Sequence, residues 1–302
     1  MLRQGLVEAY VPAPGGEEMV VGTLGAGDIL GEMALVEAGT CVANVRATGN
    51  VDGWFIARED FRALSVQRSA AARELQHAVT LVLARRLDLL NARLSALDCA
   101  EDRPGRTLPA GRDPLAALPR ARRASWDLPA FLPRLAFFQS FQPDEIDEVA
   151  AAARILDLPA GAALHVAGAE ASAVFVLVRG AVEIVRPRGA LERRLAVLGP
   201  GRPFGYIGVL LAAHHGSHAF AREAATVLEI PAAAFTALYF GEDACGTRLR
   251  AAVQRHLLES LGRTNRVLTR LASLARLREA GGEANDWEAA GRAALAGAVQ
   301  SR

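Results

Sequence analysis

Apolar positions in this chain keep two rhythms. Over AVFVLVRGAVEIV and LPAGAALHVAG they come in short, β-branched runs broken by Gly and Pro. That predicts two strands around an Arg179–Gly180 turn and a Pro159–Gly161 turn leading into a third. Closely spaced short strands of this kind predict a β-sandwich, jelly roll or barrel rather than a parallel sheet. Helical spacing appears only after the strands. Leu83, Leu87, Leu90, Leu94 and Leu97 recur at steps of three and four, and Leu257, Leu261, Leu268, Leu271 and Leu274 repeat the theme. Such stripes pack on a roll or on a second helix, as core or dimer seam.

The chain also repeats itself. LGAGDILGEMAL (Leu24–Leu35) aligns with LGPGRPFGYIGV (Leu198–Val209), and WFIAREDFRAL aligns with LEIPAAAFTAL, which sets Phe61 on Phe235 and Leu64 on Leu238. Upstream, GLVEAYV matches GAVEIVR with Gly5 on Gly180, one residue out of phase, as a hairpin loop of different length gives. The predicted fold is therefore mixed and mainly β: two jelly-roll-like β-rolls, each followed by long α-helices. By this reading 1–66 is a partial roll, 67–98 helical, 99–128 a Pro-, Gly- and Arg-rich linker, 129–240 the second roll, 241–279 a helix and 280–302 a flexible tail. The counterpart of Phe131, which opens the second copy, would fall ahead of Met1. The expectation is thus a first roll without its leading helix and first strands, either because translation starts upstream or because another surface completes it.

Composition narrows the function classes. The chain has 302 residues, enough for two modest domains, and a formal net charge of +1. All 34 basic residues are Arg, a bias expected of a GC-rich bacterial genome. No strongly basic balance marks a nucleic-acid binder. Cys41, Cys99 and Cys245 show no CxxC spacing, which predicts reduced thiols and a cytoplasmic location. No apolar run is long enough for a bilayer, so no membrane partner is expected. No GxSxG, Walker loop, HExxH or Ser/His/Asp spacing appears, so the chain is expected not to be an enzyme.

With both copies aligned, the framework resembles the cyclic nucleotide-binding domain, the β-roll of catabolite activator-type regulators, kinase regulatory subunits and gated channels. The resemblance implies a phosphate-binding cassette of Gly-Glu, an apolar residue, Ala-Leu, a short loop, then Arg and a small residue. In it, the Glu accepts from the ribose 2′-hydroxyl and the Arg forms a fork-shaped pair with the phosphate. Cyclic AMP or cyclic GMP is the implied ligand. The first copy keeps Gly31, Glu32, Met33, Ala34 and Leu35, but Cys41 stands at the Arg position, followed by Val42 and Ala43. A thiol is a weak donor without charge at neutral pH. The second copy keeps Gly205, has Tyr206 in place of the Glu, and places His215 and Gly216 at the Arg position. Neither copy holds the full Glu and Arg pair, so nucleotide binding is expected to be weakened or lost.

Three features lie outside the cassette pattern. His214, His215 and His218 within AAHHGSHA read as a degenerated, solvent-exposed loop or, with less support, as metal ligands; a protonated His215 would offer an anion a partner in mild acid. RARRASW places Arg122 and Arg123 before Ser125, resembling a basophilic-kinase site, in a linker where the pattern also arises by chance. Glu101, Asp102 and Asp113 read as solvated linker charges. The expected function is a regulatory or sensory protein with tandem cyclic nucleotide-binding-like domains, or a scaffold whose long helices self-associate or bind a partner protein. The tail after Leu277 is too small and too weakly basic for a DNA reader, so no DNA partner is expected.

Overall fold

The computed structural model describes residues 1–12, 18–31, 43–66, 69–97, 102–106 and 131–299, with side chains through residue 271 except at 19, 21, 62, 65 and 66. In the first copy, β1 (Leu2–Gln4) pairs with β5 (Asp52–Gly53), while β2 (Val7–Pro12) lies between β3 (Glu18–Leu24) and β4 (Asn44–Ala47). Helices α1 (Arg58–Val66) and α2 (Ala70–Ala96) follow. Ser69 caps α2 by accepting from the Ala72 N–H at 3.1 Å.

The second copy opens with two 3₁₀ turns (Leu132–Arg134 and Ala136–Phe138) and α3 (Pro143–Ala151). Pro143 stands where a missing N–H costs nothing, and the Glu145 carboxylate accepts from the Gln142 N–H at 2.7 Å. Its strands are β7 (Arg154–Leu158), β8 (Ala163–His165), β9 (Ala173–Arg179), β10 (Val182–Arg188), β11 (Leu191–Leu198), β12 (Pro203–Phe204), β13 (His218–Ala221) and β14 (Ala225–Pro231). One sheet runs β11-β10-β13-β8 and the other β12-β9-β14-β7. The predicted turn is β9–β10. Gly180 sits there at φ +87°, where a Cβ would lie 2.6 Å from the Ala224 carbonyl oxygen, so only glycine fits.

Strand β9 reads as an unbroken apolar run because both its faces are covered. Phe175 and Leu177 point into the roll with Leu158, Val182, Phe204 and Val227, while Val174 and Val176 meet the helices. The leucine stripes supply that second layer: Leu83, Leu87, Leu90 and Leu94 are buried, as are Leu257 and Leu261. The latter lie on α6 (Ala244–Val299), which follows α5 (Ala232–Phe240). Helix α6 continues to Val299, where composition predicted a loose tail; the Ala-rich sequence is a good helix former despite its glycines.

Helices α2 and α6 run side by side and parallel, with equivalent residues of the two copies facing each other. Arg250 Nε donates to Gln76 Oε1 at 3.1 Å and Gln254 Nε2 to Thr80 Oγ1 at 2.9 Å, each pair 174 residues apart. The duplicated halves thus meet about a pseudo-two-fold axis, as two subunits of a dimer do. Arg250, 2% exposed, also donates to the Gly241 carbonyl at 3.1 Å, the Tyr239 carbonyl and the Thr247 hydroxyl at 3.2 Å.

One linker expectation needs correction. Asp102 is no solvated linker charge: it pairs with Arg188 at 3.1 Å and with Arg193 at 2.5 Å. Beside it β6 (Arg103–Pro104) adds an edge strand to β11, and Arg106 bridges the buried Glu183 (2.5 Å) and Glu192 (3.3 Å) over the Phe220 ring. The first copy buries less of its matching stretch among the described residues. Trp54 and Ile56, which follow β5 outside any strand, are 66% and 38% exposed, while their counterparts Leu228 and Ile230 are 1% and 0% on β14, between β7 and β9.

Candidate functional site: a capped cavity in the second roll

Of the predicted first-copy positions, Glu32, Met33, Ala34, Leu35, Cys41 and Val42 lie outside the described residues, as does Ser125. Gly31 is described and has φ +75°, matching Gly205 at φ +80°. The left-handed φ favours glycine at both positions, and at Gly205 a Cβ would also press on the Ala173 carbonyl oxygen at 3.0 Å and the Phe175 ring at 3.2 Å.

The second cassette surrounds a cavity of about 140 Å³. Gly205, α4 (Tyr206–Leu210) and Ala213–Ser217 form one wall, and His165, Ile184, Arg186, Leu198 and Phe204 form the floor. The roof belongs to the helix pair: Ser260, Arg263 and Thr264 come from α6, and Leu87, Asp88 and Asn91 come from α2 of the other copy. The structure thus brings Gly205, Tyr206, His215 and Gly216 together around one cavity. It adds the α2 residues, His165, Arg186 and Arg263, which no local pattern marks.

Tyr206, in the position the resemblance gives to Glu, is 4% exposed and hydrogen-bonds Ser260 of the roof. Burial pushes its phenol up to about 12, so it stays protonated and bridges wall to helix. Arg263 lies beside it, its guanidinium pKa lowered by burial and then by neighbouring Arg202. Arg202 itself is paired with Glu259.

The histidines form a different object from the one predicted. His215 is 6% exposed and stacks on His165, ring centroids 3.9 Å apart and planes 13° apart. His165 Nδ1 lies 3.0 Å from the Ser217 carbonyl, an acceptor only, so that nitrogen carries the proton. Burial, and next the facing His215, hold the His165 pKa well below 6.5; burial takes His215 to about 4. His218 accepts the Ala167 N–H on Nδ1 at 3.0 Å. His215 is therefore a neutral stacking ring and not an anion's partner in mild acid. His214 is exposed, and among the described residues no group of three His, Cys, Asp or Glu is placed to hold a metal.

Where the alignment puts the lost cation, a carboxylate and a guanidinium meet instead. Arg186 Nη1 donates to Asp88 Oδ1 at 2.7 Å and to the Asp88 carbonyl at 3.4 Å. A Cβ on Gly216 would lie 2.9 Å from Asp88 Oδ1 and 3.2 Å from Arg186 Nη1, so the ion pair rests directly on the loop at the Arg position.

A family model described as the cyclic nucleotide-binding domain matches residues 1–68 and 155–241. No curated protein matches the sequence. Among solved structures the chain is similar to the regulatory domain of Toxoplasma gondii PKA with cAMP, at 16% identity over 80% of this chain and 73% of that one, TM-score 0.35. It is also similar to a cyclic nucleotide-binding protein of Geobacter metallireducens, at 22% identity over 45% of this chain and 99% of that one, TM-score 0.40. Similarity to the Thermus thermophilus catabolite activator protein reaches 25% identity over 50% of this chain and 62% of that one, TM-score 0.32.

Proposed function

The chain belongs to the cyclic nucleotide-binding domain family, and from that premise we propose that it is a non-enzymatic regulatory protein whose second site no longer takes cyclic nucleotide freely from solution. The observation that carries this reading is the capped cavity. At about 140 Å³ it is well short of the roughly 300–1,000 Å³ of a small-molecule site, and its roof is helix α2. Tyr206 replaces the ribose acceptor, and in the first copy Cys41 replaces the cation. A hydrogen bond to a charged group contributes about 1.5–3 kcal/mol, so each loss weakens binding roughly ten-fold or more. What is regulated passes through the helices, because α2 touches the second cavity and follows directly from the first roll.

A scaffold reading has its own support. Most of the leucine stripe on α2 is already consumed within the chain, but α6 runs on to Val299 and Leu89 is 63% exposed, which leaves helix surface for a partner protein or a second copy. A cytoplasmic setting belongs to the same proposal; among the described residues no helix is long and apolar enough to cross a membrane.

Calorimetric titration of the full chain with cyclic AMP and cyclic GMP tests the reading. The expected result is no saturable heat below about 100 µM ligand. Dissociation constants below the micromolar range for either nucleotide would overturn it and the scaffold reading with it.

A further inference from the structure

The Asp88–Arg186 pair joins two copies, 98 residues apart, at one spot in the cavity. Arg186 is 19% exposed, lies on β10 and points at the loop His215–Gly216, the position where the family pattern requires a cation. Asp88 comes from the roof helix and holds its carboxylate against that guanidinium. Hydrogen bonds of this charge-assisted kind are what an Arg makes with a phosphate oxygen. Within the described residues, Asp88 is the carboxylate that ion-pairs with Arg186.

We propose that Arg186 is the anion-binding group of the second site, standing in for the cation its cassette lacks, and that Asp88 is a tethered competitor occupying it in place of a phosphate. The class of ligand is a phosphate-bearing anion, a cyclic nucleotide or free phosphate. Displacing Asp88 also removes the helix segment Leu87–Asn91 from the cavity mouth, so binding and release of α2 are one event. A ligand gains only what remains after that contact is broken, which lowers its apparent affinity by the fraction of chains with α2 lifted. This inference rests on the proposed function above, since it explains why the unaltered chain binds poorly.

The test is titration of cyclic AMP and, separately, inorganic phosphate into the full chain, Asp88→Ala, Asp88→Asn, Arg186→Gln and the Asp88→Ala/Arg186→Gln double variant. Thermal melting of each variant serves as a check on folding. Asp88→Ala is expected to bind at least one probe about ten-fold or more tighter than the unaltered chain, Asp88→Asn to shift the same way by less, and the double variant to lose the gain. Saturation by inorganic phosphate alone assigns free phosphate as the ligand; a requirement for cyclic AMP assigns the nucleotide. Hydrogen exchange of residues 84–94 is expected to rise in Asp88→Ala on binding. Equal affinity in folded Asp88→Ala, Asp88→Asn and unaltered chain overturns the competitor, and tight binding that survives in the double variant overturns Arg186. Silence of every protein leaves the proposed function standing and sinks this inference alone. Tight binding by the unaltered chain sinks the proposed function, and Arg186→Gln then reads the anion role directly.

Discussion

The seam between α2 and α6 makes the sharpest stability prediction. Gln76→Leu removes the acceptor that Arg250 Nε uses at 3.1 Å while keeping the apolar volume, and it leaves the Gln76 carbonyl free to accept from Gln254 Nε2 at 2.9 Å. One N–H of a buried guanidinium is then stranded, at a cost of about 2 kcal/mol. The other three acceptors, Tyr239, Gly241 and Thr247, stay in place and keep Arg250 folded in. Arg250→Met deletes the charge and leaves those acceptors without their donor, for about 2–4 kcal/mol. In the double variant the Gln76–Arg250 penalty is not counted twice, so its destabilisation falls short of the sum by about 1–2 kcal/mol. Urea unfolding of all four proteins at several protein concentrations measures this cycle. Additivity within about 0.5 kcal/mol would refute the pairing. A midpoint that climbs with protein concentration would show the seam to form between chains instead of within one.

Two further outcomes follow from the roll itself. Stability is expected to fall as pH drops from 6.5 toward 4, because His215 and His165 titrate near 6.5 once unfolded but resist protonation in the folded stack. The unfolded chain binds more protons across that window, a difference worth about 3 kcal/mol for His215. Urea midpoints taken through this range should therefore slope less in His215→Phe, and an unchanged slope would count against the stack. Arg106→Ala removes the bridge between Glu183 and Glu192 and the cation over Phe220, so it should cost about 1–3 kcal/mol and speed hydrogen exchange at Arg103–Gly105. Unchanged exchange there would mean that strand β6 is held by its backbone alone.

Sequence reasoning reached the parts of this molecule that leave a local signature. Gly180 and Gly205 mark turns whose φ only glycine adopts cheaply, and the leucine stripe marks the buried face of α2. The 174-residue repeat grouped Tyr206 with His215, and both line the cavity of the second roll. What the stripe could not reveal is its partner, since the same periodicity suits a roll, a second helix or another chain. The His165–His215 stack was out of reach because its members stand on strands and loops fifty residues apart. Asp88 and Arg186 carry no pattern at all: each is one charge among many on a polar face, and the backbone of both copies is needed to bring them to 2.7 Å. Strand β6 was missed for a simpler reason, being two residues long and too short to show any period.

The parallel seam has one more consequence. On a true two-fold axis a residue faces its own kind, and Arg250 would then meet Arg250 in a dry interface. Here it meets Gln76, and Gln254 meets Thr80. Fusing two copies in one chain freed the halves to differ at matched positions, so each became the other's complement. A fragment holding the second roll and α6 alone could not close this seam on itself without burying two like charges side by side. The seam therefore acts as a filter that admits its own first half and turns away a twin.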